Sequence, residues 1–210
     1  MHVVAYLAHA DDEVLGCGGL LAKLASEGHQ VSIVLATDGI FYRAGRVDNS
    51  VAARKAAKIL GVQNIFFLGF RDQHFDNYPL IELNRGFEKL HLEPDLLITH
   101  APSDVNQDHL IVFRSAMVVA RPTFRRINII GCEIPSSTEW ASTPFSPSLY
   151  VDISDHLEKK IEAMRSYVAE LRQFPHPRSV EGIQIKARQR GMEVGLQAAE
   201  AYQVLRWFAF

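Results

Sequence analysis

Residues 3–8, Val-Val-Ala-Tyr-Leu-Ala, run into His9-Ala10-Asp11-Asp12-Glu13 and then directly into a helical pattern of Val14, Leu15, Leu20, Leu21 and Leu24. The apolar run is rich enough in β-branched and aromatic residues to be a buried strand. In an open parallel sheet, ligands sit in the crevice beyond the carboxyl ends of the strands. This stretch therefore sets an imidazole and three carboxylates at the mouth of such a crevice. Stability alone gives no reason to put them there.

The same alternation of strand and helix continues along most of the chain. Strand-like runs fall at residues 31–36, 64–68, 96–99, 127–132 and 149–153, and helical patterns at 12–27, 49–60, 80–92, 109–120 and 155–171. Residues 180–206 read as a last helical stretch that Gly191 and Gly195 could divide, and 133–147 as an irregular Ser-, Thr- and Pro-rich segment. Helix-length crossovers imply an α/β, Rossmann-like, mostly parallel sheet covered by helices on both faces. Polar clusters follow each of the first five strands, which makes the C-terminal edge the working edge. At 210 residues the expectation is one domain, elaborated from about residue 133.

Composition narrows the class. Hydrophobic content of 48%, charged content of 22% and a net charge of -2 suit a globular enzyme and advertise neither nucleic acid nor an anionic membrane surface. No run approaches the roughly 20 apolar residues that a spanning helix needs. The N-terminus shows no signal-peptide pattern, and Cys17 and Cys132 make no disulfide framework, so the expected compartment is the cytoplasm.

A catalytic zinc site takes three nitrogen, sulfur or carboxylate ligands and keeps one position for water. His9 and Asp12, across a strand-to-helix corner, can converge on one ion, and His109 follows the fourth major strand in Asn106-Gln107-Asp108-His109. Asp11 then stands beside the water as a candidate base, because a bound metal lowers the water pKa towards about 7. Each piece also has an ordinary reading. An Asp pair before a helix is commonly an N-cap, and His100 and His109 could be loop or cap residues.

The stretch from His9 to Gly19 resembles the signature of the PIG-L (LmbE-like) deacetylases, zinc enzymes that remove acetyl groups from N-acetylated amino sugars and glucosamine conjugates. Asp104-Val105-Asn106-Gln107-Asp108-His109 is similar to that family's second motif. Thr37-Asp38-Gly39, residues 54–61 and residues 190–202 also fit. The resemblance implies His9, Asp12 and His109 as metal ligands and Asp11 as general base. It implies zinc, with iron(II), cobalt or manganese as alternatives at a site with an oxygen donor. Relatives often form trimers or hexamers, so a homo-oligomer is an expectation. Two departures stand out: Ala10 replaces a usual Pro, and Asn106 stands where some members carry a His. An amide can donate a hydrogen bond but cannot act as a general acid. The proton for the leaving amine then comes back from Asp11, or from His176 or His100.

The remaining polar residues are substrate candidates. Arg43, Arg46, Arg71 and Arg178 could fork onto a phosphate, as in a nucleotide-linked sugar. Asp38 and Asp72 could bind hydroxyls, although Asp38 before Gly39 reads equally as a turn. His100 and Trp140 complete the set, the latter as a stacking face. The glycines at 16, 18 and 19 would let the first helix approach its strand. Other functions compete: an amidase on a related thiol or sugar conjugate, or a non-catalytic sugar- or nucleotide-binding module. Gly16-x-Gly18-Gly19 with Asp38 faintly suggests a dinucleotide fingerprint. That fingerprint, however, has its first glycine straight after the strand and a last glycine where this chain has Leu21.

Overall fold

The computed structural model describes residues 1–42, 45–123 and 125–208. A seven-stranded sheet has the order β5-β2-β1-β6-β7-β9-β8. Its strands are β1 (His2–Leu7), β2 (Gln30–Thr37), β5 (Asn64–Phe70), β6 (Leu96–His100), β7 (Asn128–Cys132), β8 (Leu149–Asp152) and β9 (Ala199–Arg206). The first five of these pair in parallel, as the alternation requires, and β9 runs antiparallel to both β7 and β8. A short hairpin, β3 (Ile40–Phe41) and β4 (Val47–Asp48), projects beyond β2.

Alternate residues of β1 enter two different cores. Val3, Ala5 and Leu7 face α1 (Asp12–Ser26), α2 (Ser50–Leu60), α5 (Leu157–Met164) and α6 (Val180–Met192). Val4, Tyr6 and Ala8 face α3 (Leu80–Glu88) and α4 (Gln107–Val119). Every one of these six residues is fully buried, which is why the strand shows no polar alternation. The chain leaves β1 toward β2 on one side and returns after α3 to β6 on the other. The loops after β1 and β6 therefore diverge, and a crevice opens between them.

The structure differs from the sequence reading in its last third. Residues 199–206 are not helical: α6 stops at Met192, the chain turns at Gly195 (φ 75°), and β9 follows. Pairing with β9 satisfies backbone groups of β7 that would otherwise form an open edge. The helix expected at 155–171 is shorter too, a single 3-10 turn followed by α5.

Helix α1 is interrupted at Cys17 (φ -147°). There Lys160 donates its Nζ hydrogen to the Leu15 carbonyl at 2.9 Å, and Glu200 accepts the Gly19 and Leu20 N–H groups at 2.8 and 2.7 Å. Lys160 and Glu200 also pair with each other at 2.6 Å, both buried. A Cβ on Gly16 would lie 2.6 Å from Cys132 Sγ, and one on Gly19 would lie 2.8 Å from Ile153. These glycines thus admit β7 and the turn after β8, rather than the helix's own strand. Cys17 and Cys132 are free and buried.

Candidate metal centre

Three donor atoms meet at the crevice. His9 Nδ1 lies 3.2 Å from His109 Nε2 and 3.4 Å from Asp12 Oδ2, and His109 Nε2 lies 3.4 Å from the same oxygen. Donors about 2.0–2.1 Å from one tetrahedral zinc would stand roughly 3.4 Å apart, so the triangle has the dimensions of a three-ligand face. The other nitrogen of each imidazole is held by carboxylates. His109 Nδ1–H donates to Asp104 Oδ2 at 2.9 Å, and His9 Nε2–H faces Asp108 Oδ2 at 3.0 Å and Asp72 Oδ1 at 3.1 Å. Carboxylates placed this way fix the ring and its tautomer, a recurring support for metal-ligating histidine. The donor set and its backing fit a divalent transition metal.

Local sequence explains the placement. Asp11 is the residue before α1 and adopts φ 130°, a strained conformation for a non-glycine, and its carboxylate does not cap the helix. Its backbone N–H donates instead to Glu13 Oε2 at 3.1 Å, and Glu13 Oε1 accepts the Tyr167 hydroxyl. That twist sends the Asp11 side chain to Arg178 Nη1 at 3.2 Å. Asp12 accepts the His9 N–H at 2.8 Å and closes the corner. On the other loop, Asn106 is the N-cap of α4 and its Oδ1 accepts from Asp108 N at 2.9 Å. The helix therefore begins two residues before His109, and the Asn106 amide nitrogen is the end left over from the cap.

The electrostatics follow the geometry. Burial works against ionising Asp12, but His109, His9 and His100 around it hold its carboxyl far below the usual range. Burial also opposes a charge on His9, yet hydrogen bonds to Asp108 and Asp12 raise its pKa well above the ordinary value. Burial, then the Asp12 charge, push Asp11 well upward, with Arg178 opposing. A carboxylate displaced in that direction is a stronger base than an exposed one.

A cavity of about 220 Å³ lies over these atoms. The predicted ligands His9, Asp12 and His109 line it, as do Asp11, Asn106 and Asp72. Trp140, His176 and Arg178 form part of its wall. His176 Nδ1 accepts the Arg178 N–H at 3.1 Å, so its Nε2 carries the hydrogen, and its ring stands edge-on to Trp140 at 6.1 Å. Burial, then the charges of Arg178 and Arg172, lower the His176 pKa.

Other candidates fall elsewhere. His100 is fully buried, stacks on His109 at 4.0 Å and accepts the Ala8 N–H at 2.9 Å; it supports the centre from behind and does not line the cavity. Burial and the His109 charge push its pKa down to about 3, which removes it as a proton donor. Asp38 is a turn residue, its Oδ1 accepting the Ile40 N–H at 2.9 Å. Arg46 is exposed, and Arg71 is exposed with its guanidinium 4.7 Å over the Tyr42 ring; neither lines the cavity. Arg43 lies outside the described residues. Asp72 does line the cavity, but His9, Gln73 and the Tyr42 N–H already engage its oxygens.

Glu13, expected with Asp11 and Asp12 at the mouth of the crevice, is instead fully buried and does not line the cavity, and sequence reasoning assigned no role to Asp104, Asp108, Tyr167 or Glu170. The last accepts from Arg178 at 3.2 Å and from Asn49 at 3.0 Å, so Asn49 serves this network and its side chain does not cap α2.

The family model described as "PIG-L: GlcNAc-PI de-N-acetylase" matches residues 4–120, a span that contains all three donors and Asp11. The protein named "Uncharacterized deacetylase YaiS" of Escherichia coli is 31% identical over 172 residues, covering 79% of this chain and 89% of its own. The diacetylchitobiose deacetylase of Thermococcus kodakarensis is 27% identical over 190 residues, covering 80% of this chain and 68% of its own. The structure of the conserved protein TT1542 from Thermus thermophilus superposes with a TM-score of 0.79 at 25% identity, covering 100% of this chain and 96% of that one. With its strand ends, donor triangle and family match in agreement, the chain belongs to the PIG-L family.

Proposed function

We propose that this protein is a metal-dependent hydrolase that removes the acetyl group from an N-acetylated amino sugar or glucosamine conjugate. The observation that carries the reading is the donor triangle of His9, Asp12 and His109 with the Asp11 carboxylate beside it in one cavity. A divalent ion held there, zinc foremost, would polarise the acetamide carbonyl and make a water acidic enough to attack it. Asp11 takes the water's proton and later returns it to the leaving amine, since the group that accepted it is already in place. Arg178 holds Asp11 in position and limits how far its pKa rises. The Asn106 amide and the His176 Nε2–H are the hydrogen-bond donors on hand for the oxygen that gains charge. Trp140 offers a face for the sugar ring.

The names borne by the family model and by the relatives in Escherichia coli and Thermococcus kodakarensis support this reading. Among the described residues no helix is long and apolar enough to cross a membrane. Two free buried thiols fit a reducing compartment such as the cytoplasm. The test is to incubate the metal-loaded protein with a panel of N-acetyl sugars, nucleotide-linked ones included, and to measure acetate. Release from at least one sugar is the expected result. A metal-loaded protein that binds these sugars without releasing acetate would mark the site as a binding module instead.

A further inference from the structure

We infer that this site selects an uncharged N-acetylated sugar and discriminates against phosphorylated and nucleotide-linked ones, an inference that rests on the deacetylase reading for its turnover arm. The argument is one of charge and size. Four carboxylates line the cavity, those of Asp11, Asp12, Asp72 and Glu170, and among the described lining residues Arg178 is the one Lys or Arg. In that described lining, carboxyl groups outnumber guanidinium and ammonium groups four to one.

Nor is Arg178 idle. One of its nitrogens, Nη1, lies 3.2 Å from Asp11 and 3.2 Å from Glu170 at once. A phosphate that reached this guanidinium would have to lie beside those two carboxylates. Arg46 and Arg71, which looked on sequence like phosphate forks, do not line the cavity.

The volume, about 220 Å³, is below the roughly 300–1,000 Å³ of sites that engulf drug-sized ligands. It suits a single ring with its acetamide. At the mouth stands Trp140, 60% exposed and edge-on to His176, an apolar face fit for the C–H side of a neutral ring. Trp140, Glu170, His176 and Arg178 lie beyond residues 4–120, the span that the family model matches, whereas Asp11, Asp12 and Asp72 lie within it.

The experiment compares N-acetylglucosamine, its 6-phosphate and its UDP conjugate as substrates of the metal-loaded protein. Like charges about 8 Å apart at an effective dielectric near 20 predict kcat/KM on the order of 30-fold higher for the neutral sugar. The gap should narrow as ionic strength rises from about 0.01 M to 0.15 M. Equal or faster hydrolysis of either anionic sugar overturns the inference and leaves the deacetylase reading standing.

A second arm needs no turnover: calorimetric binding of glucosamine and glucosamine 6-phosphate. Tighter binding of the phosphate, or no binding of either, overturns the charge argument. Preference for glucosamine without acetate release from any substrate upholds it and sinks the deacetylase reading instead. Glu170→Gln removes one lining charge and should shrink the neutral-to-phosphate ratio severalfold in whichever arm is measured. An unchanged ratio counts against the inference.

Discussion

Asp104 accepts the Nδ1–H of His109 at 2.9 Å, and so decides which nitrogen of that imidazole faces His9 and Asp12. Support of this kind is worth about 10–100-fold in metal affinity. Asp104→Ala should therefore lower affinity for zinc by that factor in a chelator competition, with the fold intact by circular dichroism. His109→Ala should empty the site, as elemental analysis will show.

Asp11→Asn keeps the side chain's shape and abolishes its basicity. The variant should retain its metal and lose about 10²–10⁴-fold in kcat, the usual contribution of a positioned base. Near-normal acetate release by this variant would reject Asp11 as the base.

Arg178 is the cation that opposes the upward displacement of Asp11. Removing it in Arg178→Met leaves burial and the Asp12 charge unopposed, so the Asp11 carboxyl should ionise at higher pH. The acid limb of the kcat/KM profile should move to higher pH, a shift that a purely structural loss of activity would not produce.

Glu13 is fully buried, and burial raises its pKa from 4.5 to about 7. Between those values the folded chain keeps a proton that the unfolded chain has released. Its contribution is thus fully present below about 4.5 and lost as pH rises through 7, at most roughly 3 kcal/mol. In denaturant titrations across that window, Glu13→Gln should lose this part of the pH dependence.

Lys160 and Glu200 form a buried pair where α1 breaks, and each also satisfies backbone groups freed by the break. Lys160→Met leaves the Glu200 charge without its partner. It should cost about 3–5 kcal/mol and lower Tm markedly, by calorimetry.

What could be read from sequence follows a physical divide. The meeting of His9, Asp12 and His109 was legible because the turns that follow parallel strands open on one edge of the sheet, and the alternation announced that sheet. Asp104 and Asp108 lie in the same motif, but which imidazole nitrogen each carboxylate would hold depends on the path of the loop. Arg178 and Glu170 lie in the irregular connection between α5 and α6 and Asn49 lies just before α2, and no spacing rule connects the two segments. The Ala-, Tyr- and Leu-containing β9 was mistaken for helix because a short apolar run has no period long enough to discriminate. Asp11 broke the capping rule outright: its φ of 130° turns away from the helix the carboxylate that would ordinarily have capped it.

The crossing of the chain from one side of β1 to the other also has a temporal meaning. During synthesis the emerging β1-α1-β2 unit already displays His9 and Asp12, yet the third donor is made almost a hundred residues later, on α4. A metal held by all three donors would have to wait until β6 has docked against β1. Acquisition of an ion there would be tied to late assembly of the sheet, since a half-made chain would offer two of the three proposed donors.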